Sequence, residues 1–92
     1  MPRIVHFDIP SDNPERAQKF YQDVFGWEFA KWDGPMEYWM VKTGENDTPG
    51  INGGLARRMH GQIGMINTID IPSIDEYIVK IQSNGGQIIV PK

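Results

Sequence analysis

From Arg3 to Ile9 the side chains alternate: Val5, Phe7 and Ile9 fall on one side, and Ile4, His6 and Asp8 on the other. A period of two predicts a strand. The first set is expected to face a helix, and His6 and Asp8 the opposite side of the sheet. The period then changes. Ala17, Phe20, Tyr21, Val24 and Phe25 follow the i, i+3, i+4, i+7, i+8 spacing of a helix laid on a sheet. Asn13 is placed to cap that helix, and Pro14 takes its first position, where a missing N–H costs nothing. Gly26 supplies the left-handed residue that ends it.

Trp27 to Trp32 predicts a second strand, Asp33-Gly34-Pro35 a turn, and Met36 to Thr43 a third strand. The polar loop 44–50 is expected to be the most mobile stretch. Ile51 to Arg58 predicts a fourth strand, with Asn52-Gly53-Gly54 inside it. Glycines there mark a bulge, or a close approach by a ligand or another backbone, and a bulge is the simpler expectation. Met59-His60-Gly61-Gln62 is a linker, in which His60 is expected to be a solvated loop residue. Gly64 to Ile71 is a strand, Ser73-x-x-Glu76 a capping box, and Ile74, Tyr77, Ile78 and Ile81 a second helical stripe. Gln87 to Val90 predicts a last strand.

One stretch is written twice. Val5-His6-Phe7-Asp8-Ile9-Pro10-Ser11 returns as Asn67-Thr68-Ile69-Asp70-Ile71-Pro72-Ser73, identical at Asp, Ile, Pro and Ser. Each copy leads into an amphipathic helix ending at glycine. The offset from Asp8 to Asp70 is 62 residues, longer than the about 20–50 of solenoid repeats, so two copies of one supersecondary module are expected. The chain reads as a single domain, 1–92, with module one at 1–59 and a partial module two at 60–92.

Composition narrows the classes. Ninety-two residues allow a modest core without staples. With no cysteine there are no disulfides and no thiolate ligands. The net charge is −3 and the cations are scattered, only Arg57-Arg58 sitting together, so nucleic acid is not an expected partner. No apolar run approaches the about 18 residues that span a bilayer. A soluble, cytoplasmic protein is expected. Gly53-Gly54 and Gly85-Gly86 fit neither phosphate-cradling glycine motif, and no Ser/His/Asp nucleophile arrangement is present.

The order β-α-β-β-β, linker, β-α-β resembles the vicinal oxygen chelate superfamily of glyoxalase I, bleomycin-resistance proteins and extradiol dioxygenases. The resemblance rests on Ile4-Val5-His6-Phe7-Asp8-Ile9-Pro10 and on Ala17-x-x-Phe20-Tyr21-x-x-Val24-Phe25-Gly26-Trp27. Asn52-Gly53-Gly54-Leu55 and Ile81-x-x-Asn84-Gly85-Gly86 add to it. It implies an α+β fold of paired βαβββ modules, each curling a mixed sheet around a cavity with helices on the convex face. The second module is here truncated to βαβ. A fragment, a sheet finished by another polypeptide and a genuinely absent remainder all fit that truncation.

The resemblance also implies a ligand set. Family metalloenzymes draw one ligand from the first strand of each module and one from the fourth, so that N/O donors converge on a divalent ion with open positions. His6 stands at the first such position. Its repeat partner is Thr68, the fourth strand offers Asn52, Gly53 and Gly54, and no Asp or Glu occurs from Thr48 to Ile69. No metal and no cofactor is therefore expected, with His6 the one remnant ligand.

Asp8 and Asp70 can be read as a carboxylate pair for acid–base work. A turn or capping role at the same module corner explains their repetition without chemistry, and is the expectation. Trp27, Trp32, Met36, Tyr38, Trp39 and Met40 could wall a cavity or fill a core; Tyr38 and Trp39, being adjacent, face opposite ways, and Trp39 is placed in the cavity. The expected ligand-binding set is His6, Trp39, Asn52 and Thr68, with no catalytic residue. Three readings follow. The first is metal-independent binding of a small apolar or aromatic molecule. The second is a metal-dependent lyase or dioxygenase completed by further residues or a second chain. The third is a structural unit without ligand. A homodimer is expected, because the apolar edge at Gln87 to Val90 invites pairing.

Overall fold

The computed structural model describes residues 2–59 and 64–91. The alternating opening stretch forms strand β1 (Arg3–Ser11), which carries on through Pro10 to Ser11. Proline is tolerated there because pairing with the neighbouring strand β5 (Ile66–Asp70) ends at Asp8. Helix α1 (Pro14–Phe25) begins as the sequence requires: Asn13 Oδ1 accepts from the Arg16 N–H at 3.2 Å. It stops at Gly26, whose φ of 73° lets its N–H reach the Gln22 carbonyl at 3.0 Å. Strands β2 (Glu28–Lys31), β3 (Tyr38–Lys42) and β4 (Gly53–Arg57) follow. Helix α2 (Ile74–Ser83) closes the order, capped by Ser73 Oγ accepting from the Glu76 N–H at 3.3 Å.

The five strands make one curved, open, mixed sheet in the order β2-β3-β4-β1-β5. Only β1 and β4 run parallel. The fold is α+β, and its first five elements are the expected βαβββ module. The two repeat strands β1 and β5 are antiparallel neighbours, with a register shift between Ile4 and His6.

Phe7, Ile9, Val41 and Leu55 form the buried core, with Ala17, Tyr21, Trp27, Phe29 and Trp39 packed around it. Cross-strand register explains the set: Phe7 pairs with Gly53 and Gly53 with Val41, while Ile9 pairs with Leu55 and Leu55 with Trp39. All lie on the face that receives α1. Complete burial of Leu55 is worth about 1.5–3 kcal/mol.

Three expectations are corrected. The α1 stripe is wider than the sheet can cover: Ala17 and Tyr21 meet the core, but Phe20, Val24 and Phe25 are exposed. The rings of Phe20 and Phe25 pack locally instead, Phe20 meeting Tyr21 edge-on at 5.3 Å and Phe25 at 6.4 Å. Gly53-Gly54 is not a bulge, since pairing with β1 and β3 runs without a break through both residues. The glycines accommodate close approach by side chains: a Cβ at Gly53 would collide with the Phe7 ring and carbonyl, and one at Gly54 with the Tyr38 ring and hydroxyl.

The third correction concerns Gln87 to Val90, which form no strand. Their counterpart in the first module, β2, bonds only to β3, and no strand follows α2 among the described residues. An extended segment without a neighbour has no ladder hydrogen bonds to make it a strand, and its backbone bonds to water instead. Ile89 and Val90 are exposed, and so is β5 along its whole length. The open edge beside the second repeat is therefore β5, not 87–90 as expected. Helix α2 buries no residue. The linker lies outside the described residues from His60 onward.

Candidate functional site

The face turned away from α1 carries the polar half of the β1 alternation. His6 and Asp8, two residues apart, project together on this face, and Tyr38 at the start of β3 joins them. The Tyr38 hydroxyl donates to Asp8 Oδ1 at 2.8 Å. His6 Nε2 lies 3.1 Å from the Tyr38 oxygen and 3.2 Å from the same Asp8 oxygen. A hydroxyl has one proton and a carboxylate none. With Tyr38's proton given to Asp8, His6 can face both oxygens only by donating, which assigns the Nε2–H tautomer.

Room for this arrangement comes from Gly54. It stands between Asp8 and Met40 in the strand register, and Tyr38 lies across its bare backbone to reach Asp8. Partial burial and the bond to Asp8 push the Tyr38 phenol up to about 12. Ionisation would put a second negative charge against the carboxylate. Tyr38 is therefore a neutral donor at physiological pH.

A hollow of about 770 Å³ opens over these groups. Trp32, Met36, Met40, Met59 and Ile66 give it an apolar wall, and His6, Asp8 and Tyr38 a polar floor. Glu37 and Arg57 close the rim as an ion pair at 2.7 Å, which holds the Glu37 carboxyl below the usual carboxylate range. Arg57 also donates to the Asp12 carbonyl at 3.1 Å and lies 3.9 Å from Glu15.

The expected site residues separate. His6 lines the hollow. Thr68 lies opposite His6 across the β1–β5 pairing, exposed beside it. Trp39 does not reach the hollow: paired with Leu55, it belongs to the core face and Tyr38 takes the position assigned to it. Asn52 is elsewhere too, its Oδ1 accepting from the Thr43 N–H at 2.8 Å and so tying the β3–β4 loop to its base. Asp8 is no cap or turn residue. It sits mid-strand, and the caps are Asn13 and Ser73. The alternation that put His6 on this face had already put Asp8 there. Tyr38 carried no signal beyond being one of two adjacent aromatics.

A catalytic metal of the superfamily's kind does not fit the described residues. Such an ion needs three or four converging donors, and no group of three His, Asp or Glu side chains comes together among them. His6 and Asp8 are two, already bonded to each other and to Tyr38.

Residues 3–44, spanning β1 to β3, match the family model described as bleomycin resistance protein-like N-terminal. No curated protein matches the chain. Among the described residues no helix is long and apolar enough to cross a membrane.

Proposed function

We propose, for a chain that opens with a bleomycin resistance protein-like N-terminal segment of the vicinal oxygen chelate superfamily, that it binds a small apolar or aromatic molecule on the concave face of its sheet. The observation that carries the reading is the hollow itself. It has the size of a small-molecule site, its wall includes a tryptophan and three methionines, and a few polar groups converge on it. Such a wall gains from covering an apolar surface at about 25 cal/mol per Å² removed from water. His6, Asp8 and Tyr38 then fix which end of the guest points down. Each is held by the other two, so little ordering is required when a ligand arrives. No bond-breaking step follows from this arrangement. Binding without turnover is the function it supports.

The test is a thermal-shift screen against aromatic compounds, since a ligand that binds only the folded state raises its stability. Hits are repeated on Met40→Arg, which places a charge on the wall at a half-exposed position. Binding should be lost while the unliganded protein melts as before. Stabilisation that survives Met40→Arg unchanged would put the ligand elsewhere.

A further inference from the structure

We infer that the hollow selects an organic cation: an amine or amidine, protonated at neutral pH, on an aromatic or apolar body. This rests on the binding reading above and specifies its chemistry.

The argument is a count of protons and charges on the floor and rim. Tyr38 has given its proton to Asp8, and His6 has turned its Nε2–H toward the same two oxygens. What remains is acceptor capacity. Asp8 Oδ2 has no hydrogen-bond partner among the described residues, although the side chain is only about a third exposed (37%). A ligand that meets this floor must bring donors.

Charge points the same way. The lining residues carry two carboxylates, Asp8 and Glu37, against one guanidinium, Arg57. Arg57 is committed to Glu37 at 2.7 Å and to the Asp12 carbonyl at 3.1 Å, with Glu15 on its other side. That leaves the charge of Asp8 facing an apolar wall, and a charge-assisted bond to it is stronger than a neutral one. Trp32 lies in the same wall, and an indole ring is the aromatic group that best attracts a cation. An anionic ligand would meet Asp8 with like charge and find no unengaged cation among the described lining residues.

Isothermal titration with three isosteres tests the inference: 2-(2-naphthyl)ethylammonium, 2-(2-naphthyl)ethanol and 3-(2-naphthyl)propionate. The ammonium compound should bind about tenfold tighter than the alcohol, and the carboxylate weakest. Added salt should narrow the gap. Asp8→Asn should abolish the preference, and Tyr38→Phe, which keeps the carboxylate, should retain it. Tyr38→Phe and the salt series decide the matter if Asp8→Asn does not fold. Equal affinities, or a preference for the alcohol or carboxylate, would overturn the cation inference and leave the binding reading standing. So would failure of all three where other aromatic compounds bind. If nothing aromatic binds, both fall.

Discussion

His6 and Thr68 hold the same place in the two copies of the repeated stretch, and they lie directly opposite each other across the β1–β5 pairing. The first copy sets a histidine and an aspartate into a polar floor, with Tyr38 reaching over from β3; Thr68 keeps only a hydroxyl, and no second tyrosine faces it among the described residues. Thr68→Trp places a ring beside His6 at an exposed position. Ligand binding should be blocked with no change in melting temperature. Unchanged affinity of a compound found by thermal shift would show that the ligand does not approach His6 from the β5 side.

Gly54→Ala should displace Tyr38, because the new methyl occupies the space of its hydroxyl. Overpacking of this kind costs about 1–3 kcal/mol. Denaturant unfolding measures the cost. The larger sign is chemical: once Tyr38 leaves Asp8, its phenol should titrate closer to pH 10.

Tyr38 in the wild type should ionise late. Tyr38 is held up at about 12, so absorbance at 295 nm should still be rising near that pH, and Tyr38→Phe should remove this late rise. The sign for stability follows from linkage. A folded-state value above the unfolded one stabilises the fold fully below about pH 10, and that contribution is lost as pH rises toward about 12. Tyr38→Phe should therefore flatten the alkaline fall in melting temperature.

Leu55→Ala should cost about 2–5 kcal/mol, since Leu55 is 0% exposed at the centre of the core. Val79→Ala on α2, where 65% of the residue is exposed, should move stability by less than about 0.5 kcal/mol. Similar losses in both would mean that α2 has packing partners its exposed surface does not reveal.

Ser73→Ala removes the side-chain acceptor that caps the start of α2. A helix that buries no residue depends heavily on its cap, worth about 0.5–2 kcal/mol. The loss should appear as faster amide exchange confined to α2, while β1 and β4 exchange as before.

What could be read ahead of the structure follows from what is local. Periodicity, the Asn13 and Ser73 caps and the Gly26 stop need only neighbouring residues, and each formed as expected. The separation of His6 and Asp8 from Phe7 and Ile9 was likewise legible from β1 alone. Failures began where two strands had to be aligned. Whether Tyr38 or Trp39 faces the hollow depends on which residue of β4 each one meets, and nothing within β3 states it. Gly53-Gly54 looked like a bulge because the phenylalanine and tyrosine that need the space are 46 and 16 residues away. Gln87 to Val90 have strand composition, but a strand requires a neighbour.

The bare backbone of Gly54 has one more consequence. Tyr38, pinned over it between His6 and Asp8, is a rigid datum at one end of the hollow. The apolar wall carries Met36, Met40 and Met59, unbranched side chains that re-form around guests of different outline. Tolerance and discrimination are therefore assigned to different parts of the chain. A set of compounds alike in one polar end and unlike in silhouette should all be held, and selection for a new guest would alter the methionines long before it reached the glycine.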